Sequence, residues 1–160
     1  MSGLLFDLRQ KFLDKAINFY GPYLGAGVKL EKLSKDYRHA KVTMPLTFYN
    51  KNYMGTQFGG SLYSMVDPWY MLMLIKNLGK GYIIWDKGAT IQFKKPGKGK
   101  VHAEFNLTQE IIDDIKANVE VNTKMDKVFK VEIRDEAGTL ICEVDKVVYI
   151  RRKVPLVKDK

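Results

Sequence analysis

The chain contains one cysteine, Cys142, in 160 residues, so it cannot close an internal disulfide and a reducing, cytoplasmic setting is expected. It has two histidines, His39 and His102, on separate strand-like segments, and with a single thiol they give no zinc-ligand spacing. No Gly-x-Ser-x-Gly elbow occurs, which argues against a serine hydrolase of that type, and there is no Walker or dinucleotide glycine pattern. The longest apolar run, around Trp69 to Ile75, is far too short to span a bilayer. Acids and bases are interspersed from Asp7 onward with no small-residue cleavage site, so no leader is expected. There is no repeat, low-complexity tract or linker, and residues 1–160 are expected to form one domain.

What is present is apolar periodicity and positive charge. The net charge is +9, and bases cluster at Lys94, Lys95, Lys98 and Lys100 and again at Arg151, Arg152 and Lys153. Such clusters serve either a solvated surface or a polyanionic ligand, such as the phosphates of coenzyme A or a nucleic acid. Aromatic residues follow core-type periodicity and are not interleaved with the bases on one face, so nucleic-acid binding is not expected. Leu4, Leu5, Leu8, Phe12, Leu13, Ile17 and Tyr20 predict an amphipathic helix over 2–20, stopped by Gly21-Pro22 and packed on the domain.

Strands are predicted over 28–33 and 39–46. A helix from Ser61 to Asn77 follows, apolar on nearly all sides and hence buried. Four strands come next, over 82–95, 100–108, 128–134 and 139–152, with a short helix after Thr108. The second of these is expected to pair back on the first across Pro96-Gly97-Lys98-Gly99, and the last two to form a hairpin around Asp135–Gly138. The order describes an α+β domain, an antiparallel sheet wrapped around one helix.

The chemistry concentrates in Asn52-Tyr53-Met54-Gly55-Thr56-Gln57-Phe58-Gly59-Gly60-Ser61-Leu62 and in Asp67 just beyond. A glycine pair opening a helix offers backbone N–H groups to a developing negative charge and lets a ligand approach closely. A lone carboxylate in an apolar segment needs a partner or a task, and Asp67 is the candidate base or nucleophile. Asp67-Pro68 also reads as a helix start, with Asp at the cap and Pro at the first helical position. Asn52 reads either as orienting water or as a turn residue. Asp86 and Lys87 stand in a β-rich segment, where the acid could raise and the base lower the pKa of Asp67, or the two could form a structural ion pair. Met44, Met54, Met65, Met71 and Met73 read as flexible core filling and not as a cofactor box.

This order and motif resemble the hotdog fold, in particular acyl-CoA thioesterases related to 4-hydroxybenzoyl-CoA thioesterases. Those carry Asn, Gly, His-Gly-Gly and an acid nine residues after the His, matched here by Asn52, Gly55, Gly59, Gly60 and Asp67. The chain departs at Phe58, which replaces the His and cannot donate a hydrogen bond. The longer pattern, Asp67-Pro68, Trp85-Asp86-Lys87 and Phe93-Lys94-Lys95-Pro96-Gly97, is similar to an uncharacterised hotdog family.

The resemblance implies thioester hydrolysis, with Gly59, Asp67, Asn52 and Asp86 as catalytic groups. Thr56, Phe58, Gly60, Lys87, Lys94, Lys95, Lys98 and Arg151 would surround the substrate. No metal or cofactor is implied beyond the coenzyme A of the substrate. Eight helical residues separate Gly59 from Asp67 by about 12 Å, so one site needs each from a different chain. A homodimer, or a tetramer built on it, is therefore expected. The alternative is a hotdog protein that binds acyl-CoA or a fatty acyl group without turnover.

Overall fold

The computed structural model describes residues 16–153. The predicted helix over 2–20 therefore lies mostly outside the described residues, apart from its last turn at Ala16 and Ile17. Gly21-Pro22 does not only stop that turn. It opens a helix of its own, α1 (Gly21–Ala26), because a proline in the first turn has no N–H to lose. Gly27 closes α1 at φ 76°.

Strands β1 (Lys29–Leu33) and β2 (His39–Met44) follow. The apolar segment is then split into α2 (Gly59–Ser64) and α3 (Trp69–Leu78). Pro68 accounts for the break, since it has no N–H to continue the ladder. It occupies the cap of α3, so the Asp67 side chain caps nothing and is free to turn elsewhere. The remaining elements are β3 (Tyr82–Phe93), β4 (Val101–Asn106), α4 (Gln109–Asn122), β5 (Lys124–Asp135) and β6 (Leu140–Arg152). Thr108 caps α4 as its residue type predicts, its hydroxyl accepting from the Ile111 amide at 3.2 Å.

All six strands form one antiparallel sheet in the order β1-β2-β4-β5-β6-β3. The fold class is the expected one, but one pairing differs. β4 does not fold back on β3; it lies between β2 and β5, while β3 pairs with β6. The Pro96–Gly99 segment is a crossover and not a hairpin turn. Its start is held to β6 by Lys94 and Lys95 amides on the Ile141 carbonyl, at 2.8 and 3.1 Å, and its middle to the Gly59 loop by the Gln57 amide on Gly97 O, at 2.8 Å. β3 is left as an edge strand with no second strand partner among the described residues.

The inner face of the sheet and the two central helices share one core. Trp69 touches Tyr23 and Phe105, and Tyr70 stacks on Phe129 at 3.9 Å between ring centroids. Met44, Met65 and Met73 are fully buried in this closed core and line neither hollow described below, whereas Met54 is exposed and fills no core. On β6, Cys142, Val144, Val148 and Ile150 point inward in strict alternation. The central helices are less enclosed than their composition predicts, since Ile75 stays exposed and Tyr63, Met71 and Leu72 are half-buried.

Candidate active site

The structure divides the predicted residues between two neighbouring places. The first is a cleft of about 430 Å³ at the start of α2, lined by Asn52, Thr56, Gly59, Leu62, Phe93, Lys94 and Lys95 among others. The first amides of a helix have no intrahelical acceptor, so the Gly59 N–H is available there. A Cβ on Gly59 would come within 2.9 Å of the Phe93 ring, which shows how closely the helix start and the end of β3 approach. Asn52 serves the loop. Its Oδ1 accepts from the Met54 and Thr56 amides, both at 3.0 Å, and its Nδ2 donates to Thr56 Oγ1 and Gln57 O. Both amide protons are thereby used, which corresponds to the turn role.

Gln57, which sequence reasoning passed over, is a buried strut. Its Nε2 donates to Met44 O at 3.2 Å and Gly99 O at 3.0 Å, tying β2 and the crossover to the cleft floor. Phe58 and Gly60 face a second hollow on the other side of α2, with Tyr49, Asn50 and Lys51. The Phe58 ring lies over Gly60, where a Cβ would meet it at 2.6 Å.

Of the bases, Lys94 pairs with Glu143 at 2.8 Å, while Lys95 and Lys98 are exposed with no ion-pair partner among the described residues. Arg151 does not join them within one chain. It lies ten residues beyond Ile141 along β6, about 33 Å at the strand repeat.

The second place centres on Lys146, whose side chain is 1% exposed on the inner face of β6. Its Nζ donates to Asp67 Oδ1 at 2.5 Å and to the Tyr63 hydroxyl at 3.0 Å. The Tyr63 hydroxyl in turn donates to the same Asp67 oxygen at 2.8 Å. Asp86 Oδ1 approaches Nζ to 3.3 Å as an ion pair without hydrogen-bond geometry. Asp67 and Asp86 are thus brought together, as the sequence suggested, but through Lys146 and not Lys87. Lys87 stands at a bulge in β3 and turns outward to Asp126 at 2.5 Å.

Burial pulls the Lys146 ammonium down, yet its bonds to Asp67 and Tyr63 and the charge of Asp86 outweigh this, so it lies above the ordinary lysine value of 10.5. Burial pushes Asp86 up against the opposing charge of Lys146. Burial also raises the Tyr63 hydroxyl. Lys146 was missed because it lies 79 residues from Asp67, and Tyr63, only four residues away, because it counts among the apolar residues of the helix. One signal was readable: Lys146 falls in phase with the inward residues Val144 and Val148, where a lysine demands a partner.

The sheet, its central helices and this element order define a hotdog fold. Solved structures of other proteins match it, three of them as follows. A Pseudomonas aeruginosa protein, described as of unknown function and a probable thioesterase, has TM-score 0.69 and 21% identity over 80% of this chain and 85% of that one. A Haemophilus influenzae thioesterase has TM-score 0.64 and 15% identity over 91% and 92% of the two chains. A Chlorobaculum tepidum protein of unknown function has TM-score 0.69 and 18% identity over 92% and 96%. The chain belongs to the family called domain of unknown function DUF4442, which matches it over residues 9–150. No curated protein matches it.

Proposed function

We propose that the protein hydrolyses an acyl thioester, carried by coenzyme A or an acyl carrier, and does so as a homodimer. The observation behind this reading is the placement of the two half-sites along the unpaired edge of β3. Lys146, and with it Asp67, lies opposite Ala89, and Gly59 lies against Phe93, four residues or about 13 Å further on. Antiparallel pairing of β3 with a second copy would bring the Asp67 end of one chain to the Gly59 end of the other. The exposed Trp85 and Phe93 and the unpaired backbone of this edge suit such pairing.

In that arrangement the Gly59 N–H polarises the thioester carbonyl, and Asp67 of the second copy acts as base or nucleophile. In the base route, water forms the new C–O bond and gives a proton to Asp67. The C–S bond then breaks, and the departing sulfur takes that proton, leaving acid and thiol. Lys95 and Lys98 offer unpaired charge to the coenzyme phosphates, and Arg151 of the second copy would approach the same rim.

Thiol release across acyl-CoAs of different chain lengths, with wild type and Asp67→Asn in parallel, tests the reading. Turnover that collapses in the variant supports it; a monomer at micromolar concentration contradicts the two-chain site. Phe58 favours a second reading, an acyl-binding protein without turnover, because its ring supplies no donor where the resembling thioesterases have histidine. Saturable acyl-CoA binding with no thiol released would select it.

A further inference from the structure

Lys146 is the charged side chain that the sheet's inner face encloses, and its surroundings are lopsided. Both groups that bond Asp67 use the same oxygen, Oδ1, from Lys146 at 2.5 Å and Tyr63 at 2.8 Å. Oδ2 has no hydrogen bond among the described residues, and the Asp67 side chain is 47% exposed. A carboxylate held this way has one oxygen fixed in place and the other presented to solvent. A buried ammonium with one carboxylate would form a closed neutral pair. Here Asp86 takes part of the same charge from the opposite side, so two carboxylates share one ammonium.

We propose that Lys146 is a positioning residue, anchoring Asp67 by Oδ1 together with Tyr63 and leaving Oδ2 as the reacting oxygen, while Asp86 shares the Lys146 charge from the other side. The inference rests on the thioesterase reading, and it assigns Asp86 to charge sharing and not to orienting water. The raised value of Lys146, held up against burial by its bonds to Asp67 and Tyr63 and by the charge of Asp86, accords with an ammonium that stays charged between two acids. The ionisable groups facing Asp67 are Lys146, Asp86, Tyr63 and, from α1, Tyr23.

Lys146→Met keeps the volume of the side chain and removes its charge. Its kcat is expected to fall with little change in KM, because the ammonium touches no substrate. The acid limb of the pH–rate profile is expected to move to higher pH, because the cation that opposes protonation of the site is gone. Tyr63→Phe, which removes one hydroxyl and leaves the ion pairs, is expected to lower kcat by a smaller factor at unchanged KM. If Lys146→Met unfolds, Tyr63→Phe alone carries the test.

Carboxyl titration of wild type and variant by NMR makes the outcome independent of turnover. If wild type releases no thiol but Asp86 titrates higher in Lys146→Met, the thioesterase reading fails and the shared ion pair stands. If neither the rate profile nor the titration moves, or if Tyr63→Phe raises KM and leaves kcat alone, the proposal is overturned.

Discussion

The two halves of the candidate site are built of different materials. At Gly59 the working group is backbone, shaped by the Asn52 bonds within its own loop and tied by Gln57 to β2 and the crossover. At Lys146 the working groups are side chains from three separate stretches, the helix turn, β3 and β6, spanning Tyr63 to Lys146. A backbone site tolerates surface change around it and fails when the approach is blocked. A side-chain site fails when any one charge is removed, since each balances the others in a low-dielectric setting.

The largest effects should come from breaking each half directly. Asp67→Asn is expected to lower thiol release by about 10²–10⁴-fold, the span for loss of a general base. Gly59→Val keeps the N–H but sets a side chain in the approach to it, and should lower release by about 10²–10³-fold, the span for an oxyanion donor put out of reach. That substitution pushes against the far end of the exposed Phe93 ring, which can yield, so circular dichroism should show a folded chain. A lowered kcat at unchanged KM in Asp67→Asn would place that carboxylate at the reacting atoms.

A smaller effect separates the halves by pH. The folded-state value of Lys146 is raised above 10.5. Its contribution to stability is therefore fully present below the unfolded lysine value and is lost as pH rises through the folded one. Tyrosines in the core lose stability over a similar range, so the readout is the difference between two melting curves. Wild type should lose its margin over Lys146→Met above about pH 10.5. Gly59→Val should keep the wild-type slope.

Smaller still, Lys95→Ala with Lys98→Ala should raise KM for acyl-CoA a few-fold, because exposed charges interact weakly through water. The effect should vanish with a thioester that lacks the nucleotide phosphates. The smallest effect on either half is expected from Thr108→Ala. It removes the cap of α4 and should cost about 1 kcal/mol in a denaturant melt without changing turnover per folded chain.

The same contrast explains what could be read before the structure. The glycine pair, the Thr108 cap, the β5–β6 hairpin and the break at Pro68 all rest on local rules, and their elements lie close to the predicted positions. The partner of β4 could not be read, because a Pro-Gly-rich segment looks alike whether it turns back or crosses over. What decides is the long-range fit of β3 against β6. Asp67 and Asp86 were readable as charges out of place, but the cation expected beside one or the other was Lys87, the nearer residue in sequence. The bulge at Lys87 turns that side chain outward to Asp126, and the strand phase of β6 puts Lys146 beneath the acids instead.

The measurement that bears most directly on the two-chain site uses mixed dimers. Asp67→Asn and Gly59→Val proteins, each inactive alone, are unfolded together, refolded and assayed for thiol release. A site made from Gly59 of one chain and Asp67 of another leaves one intact pair in every mixed dimer, so activity should return on mixing. If mixed dimers form, as native mass measurement would show, and the mixture stays as inactive as its parents, the two groups do not meet across chains.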